Sequence, residues 1–410
     1  MNILFLTQVV PFPPDAGPKV KTWHVLRYLL AQGHHITLVS FVRKDEEKHL
    51  EAIRSAGIEV VAVPIKRSRV KDVGFLVRSY LGSGSFLVGR DNLPEMHEAI
   101  DRLVKARVYD VIHADQFTMP QFVPSRERLP KHCIRVFDAH NANWSVMERL
   151  KNDAPFYLKP VFALEQKRIK QYEGQIVSQF EYTLAVTEID RNLLIEAVHS
   201  VHGPENAGDH IITIPIAVDT NEIQPVTRAP AELNIVTVGT LHYQPNADGI
   251  RWFINEVFPL VRKELPNISL TIIGKNPPAD FVHLAEQDQR VKVTGYVPSL
   301  VPYLEQSSLM VVPVRVGGGM RVRILEAFAR AVPVVTTTTG LEGIDAQPGQ
   351  DVLVADQPET FANDVIRLAK DPTLQAALAA KGRQLAETRY DWLKLLNRLS
   401  AIYECAQPAA

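Results

Sequence analysis

The chain has 410 residues, 46% of them apolar and 22% charged, and a formal net charge of −1. That length suits two ordinary domains, and the composition excludes fibrous and disordered classes. The near-zero charge gives no whole-protein reason to expect nucleic acid, so any anion site must be local. Cys133 and Cys405 are the only cysteines and stand in no metal-ligand spacing, which argues against a disulfide framework and fits a reducing cytoplasm.

The amino-terminal MNILFLTQVVPFPP carries no basic leader, and its apolar run is too short for a signal peptide or a spanning helix. It predicts a first buried strand at residues 3–7. Strand-like apolar runs follow at 36–41, 60–63, 108–113 and 134–138, with amphipathic segments between them. This alternation predicts a doubly wound α/β sheet over a first domain, 1–213. Residues 214–233 hold three prolines and little apolar periodicity, and are expected to be a linker. A second series of runs, at 235–238, 270–273, 291–294, 309–312, 332–336 and 352–354, predicts a second such domain over 234–389. The last segment is helical in pattern, and 390–410 is expected to pack back on the first domain. No uncharged apolar run reaches membrane-spanning length, so contact with a membrane, if made, is expected from the cytoplasmic surface.

Ligands of open parallel sheets bind outside the carboxyl ends of the strands. The loops at 8–19, 113–117, 138–143, 239–246, 274–278, 295–299 and 315–320 leave those ends, and they are expected to converge on one interdomain cleft. Asp15 to Lys19, with Gly17, opens a helix at about Val20, and Gly239 and Thr240 introduce another; both loops could bring backbone N–H groups to a ligand. His113, Asp115, Asp138 and His140 end two strands. Contacts to a sugar, acid–base chemistry, a His/Asp metal site and plain strand-end hydrogen bonding all remain open for them. His199, His202 and His210 read as surface histidines. Lys66, Arg67, Arg69, Lys71 and Arg78 surround a Phe75-Leu-Val run that leads to Tyr80 and Leu81, either a patch for an anionic bilayer or a solvated helix.

The densest signal is VRVGGGMRVRILEAFARAVPVVT, residues 314–336. Gly317, Gly318 and Gly319 allow close backbone approach, and the helix after them presents free N–H groups and the positive end of its dipole. Arg321 and Arg323 crowd an end where cations are normally disfavoured, so a bound anion explains them. Glu326 follows on the same helix beside an apolar stripe of Ile324, Leu325, Phe328 and Ala329, where a carboxylate can accept from a ribose diol.

These residues resemble, almost end to end, the GT-B glycosyltransferases of family 4, in particular sugar transferases of cell-surface polysaccharide pathways. The blocks VGTLHYQPNADGIRWFINEVFPLV, TIIGKNP, VTGYVPSL, VPVRVGGGMRVRILEAFARAVPVVTTTTGLEGI and RYDW carry the likeness in the second half. PFPPDAG, YDVIH, DAHNANW and VTEIDR carry it more loosely in the first. The resemblance implies two Rossmann-like doubly wound parallel-sheet domains facing across a cleft. It also implies retaining transfer from a nucleotide-diphosphate sugar, a UDP-sugar being the expected donor, to a saccharide or lipid-linked acceptor, without metal or other cofactor.

By the same resemblance Glu326 binds the donor ribose, while Gly317, Gly318, Gly319 and Met320 face the donor sugar and diphosphate. Tyr296 and Val297, after Gly295, meet the base through their backbone. Gly17, Gly239, Thr240, Gly274, Lys275, Arg323 and Leu325 complete the donor side, and His113, His140 and Arg321 are the implied catalytic residues. Three departures stand out. Glycine 318 occupies the place of the family's first glutamate, eight residues before Glu326; Thr240 and Pro245-Asn246 stand where a basic pair is usual; and Gly17 is followed by Pro18 rather than a second glycine. An epimerase on the same fold and a non-catalytic sugar-nucleotide-binding protein are the competing readings.

Overall fold

The structure, a computed structural model, describes residues 1–406 apart from 16, 66–73, 76–78, 80, 81, 83, 204–207, 230 and 231. The basic patch expected over 66–81 therefore lies outside the described residues, save Gly74, Phe75 and Ser79. The chain divides into two compact units, Met1–Ile216 with Leu396–Ala410, and Ala217–Leu395.

The first unit is built on seven parallel strands: β1 (Asn2–Thr7), β2 (His35–Val42), β3 (Glu59–Pro64), β4 (Val111–Asp115), β5 (Ile134–Ala139), β6 (Tyr182–Ala185) and β7 (Ile211–Thr213). They lie in the order β3-β2-β1-β4-β5-β6-β7. Helices cover the sheet, so central strands such as ILFL of β1 are apolar on both faces rather than alternating. Leu4, Leu6, Val39, Ile112 and Phe137 form one core with Ile176 and Leu194 from the helices Lys159–Gln179 and Glu188–His202. The strand expected at 108–113 begins only at Val111, because Val108 is 57% exposed at the end of the preceding helix Pro94–Ala106. β6 and β7 add two strands to the five expected.

The second unit carries β8 (Asn234–Val238), β9 (Ser269–Ile273), β10 (Val291–Val293), β11 (Leu309–Val312), β12 (Val334–Thr336) and β13 (Leu353–Val354) in the order β10-β9-β8-β11-β12-β13. Both sheets reverse their winding once, at β1/β4 and at β8/β11. Such a reversal opens a crevice at the carboxyl edge between the two diverging loops.

The opening of the 214–233 stretch is anchored rather than loose. Ile214, Ile216, Ala217 and Val218 are buried. The Val218 N–H donates to Tyr390 O and Trp392 N–H to Val218 O, both at 2.9 Å, and Thr220 Oγ1 donates to Asp391 Oδ2 at 2.6 Å. Arg383 donates to the carbonyls of Thr220 and Ile223 at 2.8 and 2.7 Å. The last helix, Trp392–Glu404, enters the first unit from Leu396 on, where Ser400 Oγ lies 2.7 Å from Tyr28 Oη and Arg398 donates to Thr213 O.

Candidate functional site

At the carboxyl edge of the second sheet three glycines step side by side. The Gly239 N–H donates to Ile273 O, and Gly274 N–H to Gly295 O, each at 2.9 Å. A Cβ on Gly274 would lie 1.8 Å from Gly239 O, so no side chain fits where these backbones meet. Next to them Lys275 holds its ammonium 4.7 Å from the ring of Tyr296, which is 62% exposed. Across the β8/β11 reversal, Gly317 and Gly319 take φ of 107° and 80°, a left-handed backbone suited to glycine that bends the chain into the helix Val322–Ala329. Gly317 lies against Pro245, so the loops after β8 and β11 touch.

Arg321 and Arg323 knit these loops together. Arg321 is buried and donates to the carbonyls of Gly318 and Gly319 at 2.5 and 2.6 Å. Arg323 donates to Val238 O and to Asn246 Oδ1, both at 2.8 Å, and Asn246 Nδ2 in turn donates to Thr240 O at 3.1 Å. Burial, with the Arg321 charge beside it, lowers the Arg323 guanidinium to about 10. Both cations were expected to face an anion directly; here they are turned onto the loop backbone they shape.

Glu326 is different. It sits half-buried one turn into the helix, and among the described residues no hydrogen-bond donor rests on its carboxylate. Burial raises its pKa, with Arg330 and Arg323 opposing that shift. A half-buried carboxylate with no donor on it among the described residues can accept hydrogen bonds from a ligand.

The matching edge of the first sheet is charged and closed. Lys21, on the helix Gly17–Ala31, makes an ion pair with Asp138 at the end of β5, both fully buried. Burial alone would raise the Asp138 carboxyl, but Lys21, with His113 and His140, outweighs it and holds the group well below the usual range. Asp115 accepts from Thr7 Oγ1 and Thr22 Oγ1 at 2.9 and 2.8 Å, and its other oxygen lies 2.8 Å from His140 Nε2. His113 stacks on Phe5, places Nδ1 2.6 Å from Tyr403 Oη and Nε2 3.5 Å from Asp138 Oδ2. Nδ1 is in hydrogen-bond reach of the tyrosine hydroxyl, whereas Nε2 and Asp138 Oδ2 are buried without a hydrogen-bond partner among the described residues. Burial, then the charges of Asp138 and Asp115, raise the Tyr403 hydroxyl well above its ordinary value, so it remains a donor.

The ligand atoms of His113, Asp115 and Asp138 lie within 4.8 Å of one another, close enough for a metal in principle. The Lys21 ammonium already occupies the cation position at Asp138, and Asp115 is filled by two hydroxyls and an imidazole.

The predicted residues thus separate into groups. Gly239, Thr240, Gly274, Lys275, Tyr296, Val297, Gly317, Gly318, Gly319 and Glu326 line the edge of the second sheet. Leu325 does not: it is fully buried on the core side of its helix, and Met320 is buried at the loop's foot. His113 is a core residue with no exposed surface, which leaves His140, at 10% side-chain exposure, as the imidazole able to meet a ligand. Gly17 begins the first helix, three residues earlier than expected. Lys21 is an organising residue absent from the sequence reading, and Asn246 entered that reading only as a departure from a basic pair. The signal of Lys21 was positional: it stands on the same stripe as Val25 and Tyr28, a place that normally holds an apolar side chain.

Residues 232–371 match the sequence model of the family described as Glycosyl transferases group 1. The match spans every second-unit candidate from Gly239 to Glu326. An uncharacterized 44.6 kDa protein in the cps region of Klebsiella pneumoniae is 26% identical over 173 residues, 40% of this chain and 45% of its own length. The GDP-mannose-dependent monoacylated alpha-(1-6)-phosphatidylinositol monomannoside mannosyltransferase of Corynebacterium glutamicum is 27% identical over 160 residues, 36% of this chain and 42% of its own. The chain therefore spans less than half the length of either curated relative. Among solved structures, Anabaena Alr3699/HepE in complex with UDP-glucose superposes with a TM-score of 0.66 over 98% of this chain and 99% of its own, at 13% identity. At that identity the likeness is one of fold, and the fold is the GT-B type, with two Rossmann-like units.

Proposed function

We propose that the protein is a retaining glycosyltransferase that moves a sugar from a nucleotide-diphosphate sugar, a UDP-sugar in the first instance, to a saccharide or lipid-linked acceptor. The observation that carries this reading is the Glu326 carboxylate, half-buried and with no hydrogen-bond donor on it among the described residues, within the stretch that matches the group 1 family model. In this reading Glu326 accepts from the ribose diol, and the backbone of Gly295 to Val297 meets the base. The 317–320 loop, held by Arg321, cradles the diphosphate. In this reading the departing diphosphate is met by the N-terminus of the helix Val322–Ala329 and by the loop backbone, which Arg321 and Arg323 hold in shape through their hydrogen bonds to it. Preorganised donors of this kind are worth roughly 2.7–4 kcal/mol each in a transition state. His140, oriented by Asp115, is the first unit's candidate for a sugar or acceptor hydroxyl. The structure holding UDP-glucose supports the uridine donor, and the relative named as using GDP-mannose makes GDP the alternative to test.

A second reading, a nucleotide-sugar-binding protein without transferase activity, is favoured by glycine at position 318, whose carbonyl is occupied by Arg321. Calorimetric titration with UDP, GDP, ADP and dTDP tests the site. One nucleotide should bind selectively, and Glu326→Ala should weaken it roughly ten- to a hundredfold, the worth of a charge-assisted hydrogen bond. No binding to any of the four would sink both readings, whereas binding without slow hydrolysis of the matching nucleotide sugar would favour the second.

A further inference from the structure

The helices Asn143–Asp153 and Lys159–Gln179 of the first unit are joined by a turn whose side chains are apolar and exposed. Phe156 is 84% and Tyr157 65% exposed, with Leu150, Leu158 and Val161 exposed beside them. Single exposed apolar residues are ordinary, but a contiguous group on one projection marks a contact surface. The projection is firmly built. Leu158 N–H donates to Pro155 O at 2.9 Å and Phe162 N–H to Leu158 O at 3.1 Å, and the two aromatic rings meet edge to face at 5.6 Å. Below the turn, Lys151 Nζ donates to Gln166 Oε1 at 2.7 Å and Gln166 Nε2 to Glu148 Oε1 at 3.0 Å, clasping the two helices.

The stretch is richer in cations than in acids. Six cationic side chains stand from Arg149 to Lys170, with Lys151 paired to Glu148 and Lys170 to Glu196, against Asp153 and Glu165. Glu165 is turned inward, accepting from Ser85 Oγ and from the Phe86 and Leu87 N–H groups. Lys159 and Lys167 are exposed on the second helix. Next to the turn, Phe86, Leu87, Met147, Phe162 and Leu164 line an apolar cavity of about 260 Å³. Protein-docking faces are depleted in lysine, whereas an aromatic tip flanked by lysines matches the boundary between acyl chains and anionic headgroups.

We propose that the 150–161 turn is a docking site for an anionic phospholipid bilayer. Phe156, Tyr157 and Leu158 insert among the acyl chains while Lys159 and Lys167 meet headgroup phosphates. This rests on the turn itself and not on the transferase reading, and it lies in a different segment from 66–81.

Cosedimentation of the whole chain with vesicles tests it, comparing phosphatidylcholine alone with phosphatidylcholine containing phosphatidylglycerol, at low and high salt. Binding should require phosphatidylglycerol, weaken with salt, and fall about tenfold or more when Phe156→Ser and Tyr157→Ser are combined. In Phe156→Trp, the added emission should shift to the blue only with phosphatidylglycerol vesicles. Three results overturn the proposal: no binding to either vesicle, binding that ignores the double substitution, or self-association in solution that the double substitution abolishes, which would give the face to a second copy.

Discussion

The carboxyl edges of the two sheets share a topology and differ in their chemistry. In the first unit, Asp115 and Asp138 are fully buried and supplied with protein partners, a lysine, two threonines and a histidine. In the second, Glu326 is half-buried and no donor among the described residues answers it, while both nearby arginines are committed to backbone carbonyls and Asn246. A charge whose partner is built in serves the fold. One that raises the energy of the empty protein is kept for something that arrives later.

The comparison can be broken most decisively at Lys21. Lys21→Met leaves Asp138 buried without its cation, and urea unfolding should show a loss of about 3–5 kcal/mol. Adding Asp138→Asn should restore much of it, and a loss below about 1 kcal/mol would mean the pair is not what holds that edge.

Glu173 is the intermediate case. It is fully buried in the first unit and accepts from the Trp144 and Asn143 N–H groups and from Asn143 Nδ2, with no cation on it among the described residues. Burial raises it from 4.5 to about 7, the hydrogen bonds notwithstanding. A carboxyl raised on folding releases its proton more easily when unfolded, so its contribution is complete below the unfolded value and is lost as pH climbs from 4.5 towards 7. The loss should be on the order of 3 kcal/mol, and Glu173→Gln should flatten that slope in denaturation curves taken across the window.

The smallest effect on folding belongs to Glu326→Ala. The variant that weakens nucleotide binding should unfold within about 1 kcal/mol of wild type, because no hydrogen bond among the described residues is lost with the carboxylate. A large loss would move Glu326 into the same class as Asp138.

Much of the fold was legible because parallel strands write themselves as short apolar runs. β6 and β7 escaped because four residues and three, set between long helices, carry too little pattern to separate from a helix end. At the site, the glycines and Glu326 were legible since close backbone approach and a carboxylate on an amphipathic helix leave few alternatives. The directions of Arg321 and Arg323 were not, because charge in a sequence does not say whether a guanidinium faces a ligand or its own loop. His113 misled for a related reason. A histidine ending a strand reads as exposed chemistry, and its partner Tyr403 lies 290 residues away.

That distant partner bears on how the protein is made. The second unit is continuous in sequence, Ala217–Leu395, whereas the first is closed only by residues from Leu396 on. On a ribosome the second unit can complete its core while the first still lacks Ser400 against Tyr28 and Tyr403 against His113. The usual amino-terminal-first order of domain maturation is thereby inverted at its last step, and a fragment ending near residue 216 would release a sheet whose buried imidazole has lost its hydroxyl.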